Sequence, residues 1–97
     1  VNQLQLTASV IERDVLRYTP AGIPVVNAVI AHESEQIEAG IKRLVGLEMT
    51  ALAAGKVAER FNQTALGTVF RFTGFIARKN RNSKSLVFHI IDFDVYS

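Results

Sequence analysis

Apolar and polar residues alternate from the start of the chain, with Leu4, Leu6, Ala8 and Val10 set among Gln3, Gln5, Thr7 and Ser9. Successive side chains of a strand point to opposite faces, so this period of two predicts a half-buried β-strand. Thr19-Pro20-Ala21-Gly22-Ile23-Pro24 interrupts the pattern with turn chemistry, since Pro20 presets φ and Gly22 tolerates a positive φ. A second strand follows from Val25 to Ile30, with Val26, Ala28 and Ile30 on one face and Val25, Asn27 and Val29 on the other. Both faces are apolar enough to suggest cover by a partner subunit. Residues 32–40 (His-Glu-Ser-Glu-Gln-Ile-Glu-Ala-Gly) lose the alternation and read as a long acidic connection. A third strand is expected from Ile41 to Ala54, with an alanine-rich end compatible with helix. Gly55 to Phe61 then reads as a short helix, with Val57, Ala58 and Phe61 as its buried stripe.

The clearest alternation follows Gly67. Phe70, Phe72, Gly74 and Ile76 share one face of a fourth strand, and Arg71, Thr73 and Phe75 share the other. The fifth strand spans Leu86 to Val95, and its apolar phase shifts between Phe88/Ile90 and Ile91/Phe93/Val95, which predicts a bulge. One domain over residues 1–97, all-β with a single short helix between its third and fourth strands, is the layout of a five-stranded OB-fold barrel. Such barrels take single strands or sugars across their second and third strands. The flanking loops are those joining the first strand to the second and the fourth to the fifth. The fold does not by itself choose between ligands.

Composition removes several function classes. With no cysteine among its 97 residues, the chain has no disulfide, no Cys-based zinc site and no thiol nucleophile, which fits a reducing cytoplasm. No apolar run approaches the roughly 18 residues of a membrane span. The polar start Val1-Asn2-Gln3 does not read as a signal peptide. His32 and His89 are far apart with no ligand at metal spacing, so neither metal nor cofactor is expected. Asp92 and Asp94 share a strand face but have no nucleophile beside them, and they read as an edge guard against strand addition. Gly55-Lys56 lacks the flanking residues of a phosphate-binding loop. No catalytic residue is assigned, and the chain is not expected to be an enzyme.

Charge is segregated although the net is only +2. Residues 1–40 sum to −3 and residues 85–97 to −2, whereas residues 41–84 hold nine cations against Glu48 and Glu59, a balance of +7. The densest run is Arg78-Lys79-Asn80-Arg81-Asn82-Ser83-Lys84, between the fourth and fifth strands. A basic loop alone serves equally well to keep a hairpin soluble. In the binding loop of an OB barrel it points to a polyanion, and nucleic acid is favoured.

Arg17-Tyr18-Thr19-Pro20-Ala21-Gly22-Ile23-Pro24, then Val29-Ile30-Ala31-His32-Glu33-Ser34 and Glu38-Ala39-Gly40, resemble the family of primosomal replication protein N (PriB), small bacterial relatives of single-stranded DNA-binding protein (SSB). Gly55-Lys56-Val57-Ala58-Glu59 and Gly67-Thr68-Val69-Phe70-Arg71-Phe72-Thr73-Gly74 are similar to the corresponding segments of SSB itself. The resemblance covers essentially the whole chain. It implies a cytoplasmic homodimer, formed through the first strand at about Gln3 to Ser9, that binds single-stranded DNA during replication restart. It implies the restart helicase PriA and DnaT as partners, with SSB as a further one, and no catalytic activity. One departure matters. Family members can present base-stacking aromatics on the third strand, where this chain has Ile41 and Gly46.

The candidate DNA-binding residues are therefore Lys42 and Arg43 at the head of the third strand and Arg78, Lys79, Arg81 and Lys84 in the loop. Arg71 and Phe75 on the outward face of the fourth strand, and Arg17 and Tyr18 at the first turn, complete the set. With few aromatics available, binding is expected to rest on phosphate contacts and to be steep in salt. An OB adaptor with secondary DNA binding, and a general SSB or RNA-binding module, fit the same residues.

Overall fold

Each alternating run folds into a strand long enough to curl around the apolar side chains it presents. The computed structural model describes residues 1–96, so Ser97, the last residue of the expected domain, lies outside the described residues. In chain order the elements are β1 (Leu4–Arg13), β2 (Arg17–Tyr18), β3 (Pro24–Glu38), β4 (Ile41–Ala54), α1 (Lys56–Asn62), β5 (Val69–Arg78) and β6 (Leu86–Val95). The helix follows the third long strand as the sequence predicts. The two-residue β2 shifts the count, placing the helix between β4 and β5.

Strand pairing closes a five-stranded barrel, the OB fold. β1 runs antiparallel to β5 from Leu4 to Ser9 and antiparallel to β3 from Ser9 to Arg13, the second pairing shifting register between Val10 and Glu12. One bent strand therefore serves two neighbours. β5 continues to β6, β6 pairs parallel with β4 at Thr50 to Ala53, and β4 returns to β3. The predicted bulge is present: Thr73 faces Asp92 while Gly74 faces Ile90, which leaves Ile91 as the extra residue of β6.

Inside the barrel Val10, Val26, Ile30, Phe72 and Phe88 are fully buried. Phe61, Phe70, Phe72 and Phe93 meet largely edge-to-face, with centroids between 5.0 and 6.1 Å apart. That geometry suits the ring quadrupoles. Phe61 comes from α1, whose Ala58 and Phe61 are buried as expected. The helix is fixed at its end by Arg13, whose Nη1 donates to the carbonyls of Phe61 (3.2 Å) and Thr64 and to Thr64 Oγ1 (2.9 Å). The Phe61 carbonyl also accepts the Thr64 N–H (3.1 Å) and hydroxyl (2.7 Å), and a cation at the helix C-terminus complements the helix dipole.

One sequence expectation is corrected. Residues 32–40 are not a loop: β3 runs through them to Glu38, and Ala39-Gly40 turns the chain directly into β4. Both turn residues have positive φ (53° and 76°), as a two-residue hairpin requires. Alternation fails here because this ribbon extends past the strands that would cover it. β1 leaves β3 at Ala31 and β6 leaves β4 at Thr50, so neither face of the tip is a core face. Asp92 lies beyond the reach of β4, where β6 pairs with β5 alone, and it also has a specific partner: it accepts from Arg60 Nη2 at 2.8 Å, while that guanidinium also bonds the Phe93 carbonyl and lies 4.3 Å over the Phe93 ring. The Arg60 hydrogen bond, aided by the Phe93 N–H, holds the Asp92 carboxyl below its ordinary value.

Candidate nucleic-acid interface

The loop between β5 and β6 is shaped by its small polar residues, not its cations. Asn80 Oδ1 accepts the Asn82 N–H at 3.0 Å, Ser83 Oγ accepts the Ser85 N–H at 3.0 Å, and Lys79 N–H reaches the Ser85 carbonyl at 2.9 Å. Asparagine and serine mimic a backbone turn in this way and order the loop internally. Arg78, Lys79, Arg81 and Lys84 remain exposed. Among the described residues none of the four lies within ion-pair distance of a carboxylate.

Register brings this loop to the outward face of the barrel. On β5 the core face holds Phe70, Phe72, Gly74 and Ile76, so Phe75 points outward, and it faces His89 of β6. The two rings stack with centroids 4.7 Å apart and planes within 6°. Lys79, Arg17 and His89 line, with Asn27, Thr50 and Leu52, a depression of about 240 Å³ on the same side. Arg17 is held there by β2, whose pairing with Pro24 and Val25 is locked by Thr19: its N–H donates to the Ile23 carbonyl, and its Oγ1 accepts the Ile23 N–H. Tyr18 adjoins Arg17 and is 65% exposed.

The remaining candidates lie elsewhere. Lys42 and Arg43 sit near the hairpin tip, eight and seven residues before Thr50, so Lys42 is about 26 Å along the strand from the depression at roughly 3.3 Å per residue. Both are ion-paired, Lys42 with Glu35 at 3.6 Å and Arg43 with Glu38 at 2.5 Å. The acidic run of β3 is therefore the cross-strand counterion of the hairpin cations. Sequence order concealed this, because the register that sets Gln36 opposite Arg43 exists only in the folded ribbon. Arg71 lies at the far end of β5, opposite Asp94.

His89 escaped the sequence reading, which weighed it only as a metal ligand. The available signal was its outward phase on the fifth strand. Its pairing with Phe75 depends on the bulge at Ile91 that resets the register. His32 has a local role: Nδ1 lies 2.7 Å from the Thr7 carbonyl and Nε2 2.8 Å from Ser34 Oγ. Among the described residues no group of three His, Cys, Asp or Glu is placed to hold a metal, and no helix is long and apolar enough to cross a membrane.

The face thus combines loop cations without an ion pair among the described residues, an Arg–Lys pair beside a shallow depression and a half-buried two-ring stack. Such a surface can hold backbone phosphates and offer a flat ring to a base. Residues 2–92 match a protein family described as "another single-strand binding protein family". The chain is 39% identical over 90 residues to the replication restart protein PriB of Bordetella pertussis, an alignment that spans 93% of this chain and 84% of the relative. It is 40% identical over 96 residues to PriB of Neisseria meningitidis serogroup B, covering 98% and 95% of the two chains. The crystal structure of PriB from Ralstonia solanacearum superposes with a TM-score of 0.92 at 43% identity, over 100% of this chain and 99% of that one. The single-stranded DNA-binding protein of Thermus aquaticus gives a TM-score of 0.78 at 23% identity, over all of this chain and 50% of that one, a likeness of fold.

Proposed function

The chain belongs to the PriB family of replication restart proteins, and on that premise we propose that it binds single-stranded DNA as a non-catalytic accessory of the restart primosome. The observation that carries the reading is that, among the described residues, Arg78, Lys79, Arg81 and Lys84 form no ion pair. A cation already neutralised by a neighbouring carboxylate gains little from a phosphate, whereas an unpaired one releases the strand's condensed counterions when it binds. Four such cations beside Arg17 make the β5–β6 loop the principal grip. The Phe75–His89 stack supplies a base platform that the aromatic-poor β4 lacks. In this reading Lys42 and Arg43, held by Glu35 and Glu38 respectively, contribute less than the loop does.

The proposal includes a cytoplasmic homodimer through β1. From Leu4 to Leu6 this strand pairs with β5 on one edge, while β3 first reaches it through His32 at the Thr7 carbonyl, so the opposite edge of Leu4 to Leu6 is available to a second β1. The restart helicase PriA and DnaT are the protein partners that family membership puts first, with SSB after them.

Titration of a labelled single-stranded oligonucleotide at several salt concentrations tests the central claim. Binding that weakens steeply as salt rises is expected. Lack of binding at low salt, or affinity indifferent to salt, overturns it. A second reading, an adaptor that chiefly grips proteins, draws on the neutralised and apolar hairpin. It gains if neutralising the four loop cations abolishes DNA binding and leaves stimulation of the helicase intact.

A further inference from the structure

Most of the β3–β4 ribbon stands free of the barrel, and its two edges differ. Along β3, Glu33, Glu35 and Glu38 give the outer edge a run of like charges, which opposes pairing with another strand. β4 instead carries charges of both signs, Lys42, Arg43 and Glu48. Its edge away from β3 meets β6 only from Thr50 onward, so the nine residues Ile41 to Met49 offer an unpaired backbone edge. Leu44 on this stretch is 83% exposed and Ile41 70%. A hollow of about 410 Å³ lies over Gly46, lined by Glu33 and Leu44 among others. An open strand edge of this length, with Ile41, Leu44, Val45, Leu47 and Met49 along it, is a template for strand addition.

We infer that the free edge of β4 is an interaction surface for a second copy of this chain, paired antiparallel about Val45. The occupant follows from self-complementarity. In a two-fold antiparallel pair a residue faces only residues of its own face, so the symmetric registers are few. Centring on Val45 sets Lys42 opposite Glu48 of the second copy, twice over, and sets Leu44 opposite Gly46, where the hollow receives it. On the other face Ile41 meets Met49 and Arg43 meets Leu47, the latter covering apolar surface with an aliphatic stem. Centring on Leu44 or Gly46 sets no opposite charges together. Centring on Lys42, Arg43 or Glu48 sets like charges face to face. Val45 is also the midpoint of the free stretch, so pairing uses the whole edge and stops where β6 begins. The present Lys42–Glu35 contact is an exposed pair at 3.6 Å and offers little resistance to a new partner.

The inference is independent of the DNA-binding reading, and its test reads β4 directly. The chain has no cysteine, so Val45→Cys introduces a unique thiol. Facing residues of an antiparallel pair have Cα atoms roughly 4.5–5.5 Å apart, within disulfide reach. Oxidised V45C is expected to give a covalent dimer, while Gln36→Cys on the guarded β3 does not. In sedimentation at low salt, Glu48→Lys sets lysine against lysine and should weaken the association at least tenfold, and the swap Lys42→Glu with Glu48→Lys should restore it. Crosslinking of V45C no better than that of Q36C overturns the inference. So does an association indifferent to reversal and swap, as a dimer through β1 alone would give.

Discussion

Gly74 is the position where fold and candidate site depend on one missing atom. It sits at the β5–β6 bulge, facing Ile90, and a Cβ built there falls 1.8 Å from the His89 carbonyl oxygen and 3.0 Å from Phe88 Cε1. Ordinary contact begins near 3.4 Å, so Gly74→Ala forces the His89 carbonyl to retreat by about 1.6 Å. The obstacle is backbone and cannot rotate away. Overpacking typically costs 1–3 kcal/mol and a broken ladder bond about 1 more, so the expected loss is about 2–4 kcal/mol. For a domain of this size that lowers Tm by roughly 10 °C or more. The same shift moves His89 against Phe75 and disturbs the stack. Urea unfolding reads the cost as a lower midpoint with an unchanged m-value, and oligonucleotide titration reads the site. A G74A protein within about 0.5 kcal/mol of wild type refutes the reasoning. Gly67→Ala is the contrast: nothing lies within 4 Å of its Cβ, and its cost comes only from φ = 85°, about 1 kcal/mol.

Neutralising Arg78, Lys79, Arg81 and Lys84 together should flatten the log affinity against log salt slope by about 3, at roughly 0.7 per phosphate contact on a single strand. An unchanged slope excludes the loop as the grip. His89→Ala should weaken binding by about 1–3 kcal/mol per stacked base with no change in that slope, and fluorescence titration at fixed salt separates the two effects. Replacing Glu35 and Glu38 by Gln frees Lys42 and Arg43, so affinity and slope should both rise; a fall would mean that the hairpin pairs organise the DNA surface. The Asp92 carboxyl is held below its ordinary value of 3.8 by Arg60. Its contribution is therefore present above about pH 4 and lost as pH falls through the lowered value. Urea midpoints measured down this range should fall less for Asp92→Asn than for wild type, and equal acid limbs would show that Arg60 does not need the charge.

Where an element faces a core, its pattern was legible in the chain. Phe70, Phe72 and Ile76 announced β5, and the slip between Ile90 and Ile91 announced the bulge, because burial selects apolar residues at a fixed period. The ribbon from His32 to Glu38 was misread for the converse reason: with no core on either side, its residues were free to be polar, and polarity resembles a loop. The basic loop was visible as composition, since four cations need no partner to be noticed. Its contrast with Lys42 and Arg43 was not, because Glu35 and Glu38 become their counterions only across the hairpin.

Strand order, helix position, barrel and the segregation of charge all follow from periodicity and local chemistry along the chain. Which cations stand without a counterion among the described residues, the stacking of His89 on Phe75 and the open edge of β4 arise only on folding. Each of these depends on the register between segments far apart in the chain. Register is set by the whole barrel closing at once, so no window of residues contains it.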